Sequence, residues 1–558
     1  MCGIHAVISV NGTASPDLGG ALKQSLQNRG PDHLGQACRT LQATAAGNTE
    51  SQALHLTFTS TVLALRGDHI AQQPLLGPSA DGSVLCWNGE AWRFDGQPVS
   101  GNDGEALCSR LSQPHPDTPR QDHVLGIFRS IQGPFAVVYY DDIDRRVYYG
   151  RDRLGRRSLL VHRADDGSAI SFSSVAGQPV TGWTEVPADG LYSLNLDACT
   201  GTLVDYTRLV ERHMWLDEEP EMNMVSNVGL FNATAEKPDG NDCQLQAQEE
   251  GSIVDDLESQ LMSSLKLRVV DVPEPPRAHA AADRDVRVAI LFSGGLDCTV
   301  LARLAHELVP TSQGLDLINV AFENPRLVAQ YLKQPEEARK MDFYETCPDR
   351  ITARKAFAEL KQSCPGRSWR LITVNIPFEE TMAHKPTVVS LIHPHDTEMD
   401  LSIAIALYFA ARGTGHAYTA SHVWQPSMPL TTTPARVLLS GLGADELFGG
   451  YARHDIAYKR AGYEGLVEEL RLDVGRIGQR NLGRDDRAMS HWGKEVRFPF
   501  LDEELVRFAI GLPVWAKCDF GIAEHETGIE PAKRILRLLA DRKGLPIAAR
   551  EKKRAVSS

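Results

Sequence analysis

A short stretch of small and acidic residues in the second half of the chain could bind a nucleotide phosphate. Ser293, Gly294 and Gly295 follow an apolar run at 286–292, and Asp297 comes two residues later. Glycines permit a tight turn and leave backbone N–H groups accessible to an anion. A carboxylate repels phosphate unless a divalent cation bridges the two. The pattern predicts a nucleotide site with Mg²⁺; the alternative is a structural turn that happens to contain two glycines.

A second stretch repeats this layout. An apolar run at 437–439 leads to Ser440 and Gly441, and the carboxylates Asp445 and Glu446 follow. As for the first glycine corner, the segment that follows it at 299–308 is predicted to be a helix, because its apolar residues recur at helical spacing. Two strands that end in small and acidic residues, side by side at the carboxyl edge of a parallel sheet, would enclose one nucleotide–metal site.

The amino terminus offers a different chemistry. Met1 precedes Cys2, and removal of the methionine would leave a thiol and a free α-amine on one residue. The α-amine has an ordinary pKa of about 7.7–8.0 and the thiol about 8.5, so the amine can act as a general base near neutral pH. The alternative is that Cys2 is a buried small residue that opens an edge strand.

Polar residues elsewhere in the first half could serve this nucleophile. Asn88 and Gly89 follow a strand-like run at 84–86. An Asn-Gly pair is most often a hairpin turn, but it can also aim a side-chain amide and a backbone N–H at one oxyanion. Arg66 and Asp103 together suit the carboxylate and the ammonium group of a free amino acid. Taken singly, each of these residues is an ordinary surface residue.

Composition limits the class of protein. The chain has 558 residues and a net charge of −14, which argues against a nucleic-acid partner. Ten cysteines without a C-x-x-C pair indicate a reducing compartment. The longest apolar run, 401–411, is too short to span a membrane and is typical of a buried helix. We therefore expect a cytoplasmic α/β enzyme that contacts neither nucleic acid nor membrane.

The stretch between the two halves reads differently. Residues 211–251 are polar and acidic with little periodicity, so we expect a largely disordered linker between a first domain at 1–210 and a second at 252–558. Within it, residues 214–216 are expected to form a solvated loop rather than a partner-binding motif. Apolar residues at helical spacing in 252–270 predict the helix that opens the second domain.

These motifs resemble those of a known family. The run S-G-G-L-D-C at 293–298 resembles the S-G-G-x-D-S signature of pyrophosphate-loop ATP enzymes, and the first half resembles the glutaminase domain of class II glutamine amidotransferases. Their order resembles glutamine-hydrolysing asparagine synthetase, and most closely the asparagine synthetase domain-containing proteins of eukaryotes. The resemblance implies an N-terminal Ntn-hydrolase αββα glutaminase domain, followed by a parallel-sheet pyrophosphate-loop synthetase domain.

The resemblance also implies roles for individual residues. Cys2 would attack the glutamine amide, and glutamine would be held by Arg66, Asn88, Glu90 and Asp103. Asn88 and Gly89 would stabilise the oxyanion. The residues at the ATP-binding places are Phe292, Ser293, Gly294, Gly295, Asp297, Val320, Ser440 and Gly441. Asp297 and Asp445 would bind Mg²⁺ through pyrophosphate, and Lys533 would neutralise the phosphates. The implied substrates are glutamine, aspartate and ATP, and a homodimer is expected.

Three features depart from the family pattern. Leu442 stands where the family has a glutamate that assists ammonia attack, Cys298 replaces a serine, and the chain ends in a short tail at 551–558 where relatives continue. An apolar residue in place of that glutamate leaves two alternatives to asparagine synthesis. One is an amidotransferase with a different acceptor carboxylate, and the other is a non-catalytic scaffold that binds ATP.

Overall fold

The computed structural model describes residues 2–10, 18–44, 51–78, 82–113, 116–198, 203, 209–216, 223–237, 243–274, 285–333, 343–419, 429–522 and 528–552. The chain packs into two compact units. The first contains residues 1–220, 387–404 and 477–494, and the second contains 221–386, 405–476 and 495–558. The division by packing is therefore not contiguous in sequence, unlike the predicted domains 1–210 and 252–558. Within the described residues, no helix has the length and apolar character needed to cross a membrane.

The first unit is built on antiparallel strands. These are β1 (Gly3–Val10), β2 (His33–Thr44), β3 (Ser51–Val62), β4 (Leu75–Leu76), β5 (Val84–Gly89), β6 (Arg93–Phe94), β7 (Gln97–Pro98), β8 (Ile131–Gln132), β9 (Phe135–Asp141), β10 (Arg146–Arg151), β11 (Leu160–Arg163), β12 (Ala169–Ser173), β13 (Thr184–Glu185), β14 (Leu191–Asn195) and β15 (Val210–His213). In the part of the chain that the structure describes, they form two six-stranded sheets, β13-β11-β12-β1-β3-β2 and β15-β14-β10-β9-β5-β4, and a small sheet β7-β6-β8.

The two large sheets share one apolar core. Ile4, Ala6 and Ile8 alternate along β1, as the period of a strand requires, and cluster with Val138 and Tyr140 of β9. A second cluster joins the opposite face of the β9 sheet to α2 (Asp103–Ser112) and α3 (Arg120–Ser130). On the other side α1 (Gly20–Arg29) contacts β1 and β3. The layers are helix, sheet, sheet and helix, which confirms the predicted αββα fold.

The second unit is built on a parallel sheet. Its strands are β16 (Met224–Val225), β17 (Gly229–Leu230), β18 (Val288–Leu291), β19 (Leu315–Phe322), β20 (Trp369–Ile376), β21 (Thr414–Tyr418), β22 (Leu430–Thr432), β23 (Val437–Leu439) and β24 (Glu495–Arg497). Among the described residues seven of them form one sheet in the order β22-β21-β20-β19-β18-β23-β24. Five neighbouring strands of this sheet, β20, β19, β18, β23 and β24, are parallel. The wholly apolar sequences of β18 and β23 suit strands covered on both faces, and the predicted parallel sheet is confirmed.

The helices from residue 243 to residue 550 belong to both units, because the first unit also contains residues 387–404 and 477–494. They are α4 (Cys243–Val269), α5 (Leu296–Leu308), α6 (Pro325–Leu332), α7 (Pro348–Ser363), α8 (Phe378–Ile392), α9 (Glu398–Arg412), α10 (Ala444–Phe448), α11 (Ala452–Arg480), α12 (Leu482–Ser490), α13 (Glu503–Gly511), α14 (Val514–Lys517), α15 (Arg534–Arg542) and α16 (Pro546–Arg550). The predicted helix at 401–411 lies within α9, and the helix predicted at 252–270 begins earlier, at Cys243.

Some residues of the predicted linker at 211–251 make specific contacts where the structure describes them. Trp215 is 2% exposed, packs edge-on against Phe135 with ring centroids 6.1 Å apart, and donates its indole N–H to the Ala188 carbonyl. The prediction of a solvated loop at 214–216 is therefore wrong for Trp215, whose large ring is buried with its N–H hydrogen-bonded. Further along, Asn232 is hydrogen-bonded to the backbone of α13, and Lys237 pairs with Asp519 at 2.6 Å.

Candidate active sites

Cys2 lies immediately before β1 and is held at several of its atoms. Its backbone nitrogen donates to Oδ1 of Asn88 at 2.9 Å, and its carbonyl accepts from Nε of Arg29 at 3.3 Å. The amide of Gln73 reaches its sulfur at 3.8 Å. The next residue is fixed too, because the Gly3 N–H donates to the Thr61 hydroxyl at 3.0 Å. The nitrogen and the thiol of one residue thus have defined directions, as an N-terminal nucleophile requires.

Asn88 and Gly89 end a buried strand and do not form a hairpin turn. They pair with Ala136 and Phe135 across β5 and β9, and the Asn88 side chain is fully buried. Its Oδ1 accepts from Cys2, while its Nδ2 has no hydrogen-bond acceptor among the described residues. A buried donor without a partner costs free energy, and a substrate oxyanion beside Cys2 would satisfy it. The geometry favours the oxyanion interpretation over the turn.

The predicted substrate-binding residues converge on the segment that follows. Asp103, the first residue of α2, accepts from the indole N–H of Trp87 at 3.0 Å and from the Ala91 N–H at 2.8 Å. Burial raises the pKa of the Asp103 carboxyl, and the positive charge of Arg66 opposes that rise. An ammonium group of a substrate would favour the ionised carboxylate in the same way. Asp103 is thus ready to pair with an amino-acid cation.

Arg66 and Glu90 complete this set. The Arg66 guanidinium lies 5.2 Å from the centroid of the Trp92 ring and donates to the Val99 carbonyl at 3.0 Å. Glu90 is buried, and its N–H donates to the Pro134 carbonyl. The structure therefore places every predicted glutaminase residue around the segment from 87 to 92.

Sequence reasoning missed two residues that contact Cys2. Gln73 bridges the site, because its Oε1 accepts from the Trp87 N–H while its Nε2 points at the sulfur. No motif marks it. Arg29 is the last residue of α1, and the polar sequence N-R-G-P-D around it does not indicate a contact with Cys2. The complete burial of Arg29 is the signal that the sequence alone does not give.

In the second unit the two glycine corners meet at the carboxyl edge of the sheet. β18 and β23 are parallel neighbours, and a Cβ atom on Gly441 would lie 2.9 Å from the Cβ of Asp297. Gly294 has a φ of 81°, and a Cβ there would lie 2.4 Å from the backbone of Ala353 in α7. Only glycine fits both demands at that position. The predicted juxtaposition of the two motifs is present.

Lys533 joins the two predicted metal-binding aspartates. Its ammonium lies 2.7 Å from Asp297 Oδ2 and 2.8 Å from Asp445 Oδ1, and the residue is 6% exposed. Burial alone lowers the pKa of Lys533, but the two carboxylates outweigh it and raise that pKa above its ordinary value. The backbone at Lys533 adopts a left-handed conformation, with a φ of 53°, and its N–H donates to the Phe448 carbonyl. This conformation directs the side chain towards the two aspartates.

The remaining nucleotide-binding predictions fall on the same edge. Phe292 is buried, and its N–H donates to the Ile318 carbonyl at 2.7 Å. Val320 lies near the end of β19, one strand away. Ser440 donates its N–H to the Arg497 carbonyl and accepts from the Leu442 N–H at 3.3 Å. Ser293 accepts from the Gly295 N–H at 3.3 Å, at the start of α5, whose amino end is positively polarised.

A hydrogen-bond network around the buried Arg350 supports this edge and was not predicted. Arg350 of α7 donates to Asn319 at 2.6 Å and to Asn375 at 2.8 Å, and pairs with Glu345. Asn319 in turn donates to the Phe292 carbonyl at 3.0 Å. These hydrogen bonds connect the carboxyl ends of β18, β19 and β20, so they fix the position of the first glycine corner at the edge of the sheet.

Leu442 leaves this site without a carboxylate at its position, but another carboxylate lies nearby. Glu446 is 8% exposed and accepts from the Tyr451 hydroxyl at 2.6 Å. Burial raises the pKa of Glu446, and the Tyr451 hydrogen bond opposes that rise. Leu442 itself is partly exposed at the corner.

The donor set fits a magnesium–nucleotide complex. Mg²⁺ in nucleotide sites takes one or two carboxylates and completes its shell with phosphate oxygens and water. Asp297 and Asp445 supply two carboxylates, and within the described residues no group of three or more His, Cys, Asp or Glu could form a metal cage. Two carboxylates beside a lysine and a helix amino end suit a cation that arrives with a phosphate chain.

Comparison with known families agrees with this division. The family model "Asparagine synthase" matches residues 278–467 and 458–557, and the model "Glutamine amidotransferase domain" matches residues 61–178. The first match covers the glycine corners and Lys533, and the second covers the segment that holds Asn88 and Asp103.

Similar proteins are found over the full chain. Asparagine synthetase domain-containing protein 1 of Bos taurus is 32% identical over all of this chain and 94% of its own length. The Homo sapiens protein of the same name is 31% identical with the same coverage. Asparagine synthetase [glutamine-hydrolyzing] of Gallus gallus is 23% identical over 92% of this chain and 77% of its own length.

Proposed function

Because this chain belongs to the asparagine synthetase domain-containing proteins, a family with glutamine amidotransferase and asparagine synthase domains, we propose that it transfers glutamine nitrogen to aspartate. The products are asparagine, glutamate, AMP and pyrophosphate. The observation that carries the proposal is the side chain of Asn88, whose oxygen holds the nitrogen of Cys2 while its buried Nδ2 faces no acceptor among the described residues.

The first half-reaction uses the residues around Cys2. The α-amine of the mature terminus takes the thiol proton, and the thiolate attacks the amide carbon of glutamine. Asn88 Nδ2 and the Gly89 N–H stabilise the oxyanion. Collapse of this intermediate expels ammonia, which carries away the proton held by the amine, and water then hydrolyses the thioester to glutamate. Arg66, Glu90 and Asp103 orient the amino-acid end of glutamine.

The second half-reaction uses the glycine corners. A carboxylate oxygen of aspartate attacks the α-phosphorus of ATP and pyrophosphate leaves; ammonia then displaces AMP from the acyl carbon. Phe292, Val320 and the two corners bind the adenosine and phosphates, and Lys533 neutralises charge on the departing phosphates. Asp297 and Asp445 would hold Mg²⁺, which would supply further neutralisation of the phosphate charge. Free ammonia must be kept from protonation by water for this transfer.

A different acceptor carboxylate is the second candidate. Leu442 is the observation that favours it, because an apolar residue at that corner cannot accept a proton from attacking ammonia. The same glutaminase and adenylation steps apply, and only the carboxylic acid in the second site changes.

One set of assays separates these possibilities. Pyrophosphate and AMP release are measured with glutamine or ammonium chloride as nitrogen source, over a panel of amino and keto acids that includes aspartate. The proposal expects turnover with aspartate from both nitrogen sources in the native chain, and from ammonium chloride alone in Cys2→Ala. Turnover with another acid only would favour the second candidate. Absence of AMP with every acid would leave a non-catalytic scaffold.

Two further expectations stay predictions. A cytoplasmic location is supported by the scattered cysteines, of which eight are free thiols in the structure: Cys2, Cys38, Cys86, Cys108, Cys298, Cys347, Cys364 and Cys518. The homodimer is tested by the mass of the purified protein in solution.

A further inference from the structure

A helix from the second half of the chain packs within the first unit and is buried, although four of its nine residues are charged. Every residue of α12, Leu482–Ser490, is less than 9% exposed, and Asp486 and Arg487 are fully buried. Buried ionised groups are costly unless they are paired and hydrogen-bonded. The partners of this helix therefore identify what its charges are for.

Asp486 pairs with the arginine that holds Cys2. Its Oδ2 accepts from Nη2 of Arg29 at 2.8 Å and from the Ser158 N–H at 3.1 Å. Nη1 of the same guanidinium donates to the Ser490 hydroxyl, one turn further along α12. Nε, the remaining edge, donates to the Cys2 carbonyl. Both Arg29 and Asp486 have fully buried side chains, so the pair is shielded from water.

The guanidinium transmits this constraint because it is planar. Once Asp486 and Ser490 fix the two Nη atoms, the direction of the Nε–H bond is fixed as well. That bond holds the Cys2 carbonyl and so restricts rotation about the Cα–C bond of Cys2. Since Asn88 holds the nitrogen of the same residue, the amine and the thiol are both oriented.

The helix is itself anchored by a second arginine. Arg487 donates to the Ser158 hydroxyl at 2.8 Å and to Glu185 at 2.7 Å, and also to the carbonyls of Leu391 and Ile392. Ser158 thus contacts Arg487 through its hydroxyl and Asp486 through its N–H, so α12 is held against the loop that contains Ser158. The position of the Asp486 carboxylate, and with it that of Arg29, is therefore fixed.

We propose that Asp486 is a positioning residue for the glutaminase reaction, acting through Arg29 on the Cys2 carbonyl, so that α12 of the second half of the sequence completes the nucleophile site. The inference rests on the proposed function, in which Cys2 is the nucleophile. It implies that residues 1–220 alone lack part of the apparatus that orients Cys2.

The test uses the full chain with Asp486→Asn and a matched control, Asp485→Asn. Asp485 lies on the same helix, is equally buried and pairs with Arg484 at 2.8 Å, but it does not contact Arg29. Glutamate release is measured over a range of glutamine concentrations. Covalent labelling of Cys2 by 6-diazo-5-oxo-L-norleucine is followed by intact mass, which reports attack by the thiolate without hydrolysis.

We expect Asp486→Asn to lower kcat and the labelling rate ten- to a hundredfold, with the KM for glutamine changed less than threefold. Asp485→Asn should match the native chain in all three quantities after both variants pass a thermal unfolding check. A purely structural role would move the unfolding temperature of both and would not separate kcat from KM. Equal kcat for Asp486→Asn and native protein, or equal losses in both variants, would overturn the inference.

A milder variant protects the test against failure to fold. Ser490→Ala removes one partner of Arg29 and a single hydroxyl, and we expect a three- to tenfold loss of kcat with unchanged KM. If Asp486→Asn does not fold, native kcat in Ser490→Ala would overturn the inference. A native chain that neither releases glutamate nor labels at Cys2 would instead refute the proposed function, and the inference with it.

Discussion

Replacing Asn88 by aspartate separates the two jobs assigned to its side chain. The aspartate oxygen can still accept from the nitrogen of Cys2, as Oδ1 does now at 2.9 Å. The Nδ2 donor, which has no acceptor among the described residues, is lost. The change therefore removes oxyanion stabilisation and retains the contact that orients the nucleophile. Asn88→Ala removes both and serves as the comparison.

The structure sets the size of the expected effect. Asn88 is fully buried, so water cannot replace the missing donor. Loss of one oxyanion donor raises the barrier by about 2.7–4 kcal/mol, roughly 10²–10³ in kcat. The KM for glutamine should change little, because the donor acts on charge that develops only in the transition state. We expect a larger loss in Asn88→Ala.

The assay is glutamate release at saturating glutamine. AMP formation driven by ammonium chloride is the internal control, since it bypasses Cys2 and should be unchanged. Thermal unfolding checks that the buried carboxylate has not disrupted β5. A kcat for Asn88→Asp within threefold of the native value would refute the oxyanion role of Asn88.

Four further predictions follow from other contacts. Lys533→Met leaves two partly exposed carboxylates facing each other, so it should lower the free energy of unfolding by about 2 kcal/mol and abolish pyrophosphate release. Because the pKa of Lys533 is raised in the folded protein, the difference in stability from native protein, measured by urea titration, should persist from pH 7 to 10 and disappear only as pH rises through that pKa. A difference that fades by pH 9 would contradict this. Asp103→Asn retains an oxygen acceptor for Trp87 but loses the charge that faces the substrate ammonium, so the KM for glutamine should rise about ten- to a hundredfold with kcat nearly unchanged; an unchanged KM removes Asp103 from glutamine binding. Leu442→Glu supplies a carboxylate at the second corner and should raise asparagine formed per AMP if aspartate is the acceptor; no change in that ratio argues for another acid. Trp215→Ala should lower the free energy of unfolding by about 3–5 kcal/mol, measured by urea denaturation, because a buried indole and its hydrogen bond are lost; a loss below 1 kcal/mol would contradict its role as an anchor.

The features that sequence predicted best are those with local patterns. The run from Val288 to Leu291 and the small residues after it specify a strand and a glycine corner within a dozen positions, and the same holds for Val437–Leu439. Each pattern is short, so the fold class and the motifs at the strand ends could be read without knowledge of distant contacts.

The features that sequence missed depend on contacts between distant positions. Arg29 and Asp486 are 457 residues apart, and nothing near either indicates that their charges are buried together. The acidic residues that follow Trp215 in the sequence predict a solvated loop, whereas its burial depends on contacts with Phe135 and Ala188. No sequence motif marks Gln73, because its contact with the Cys2 sulfur depends on how the chain folds. Local composition cannot reveal a partner supplied by a different part of the chain.

The account depends most directly on the sulfur of Cys2. The decisive measurement compares glutamate release by native protein and by Cys2→Ala, with the intact mass of each amino terminus determined in parallel. We predict a native chain that begins at Cys2 and releases glutamate, and a variant that is at least about a thousandfold slower while its ammonium-driven AMP formation is preserved. Equal glutamate release from both proteins, or an active native chain that retains Met1, would contradict the account.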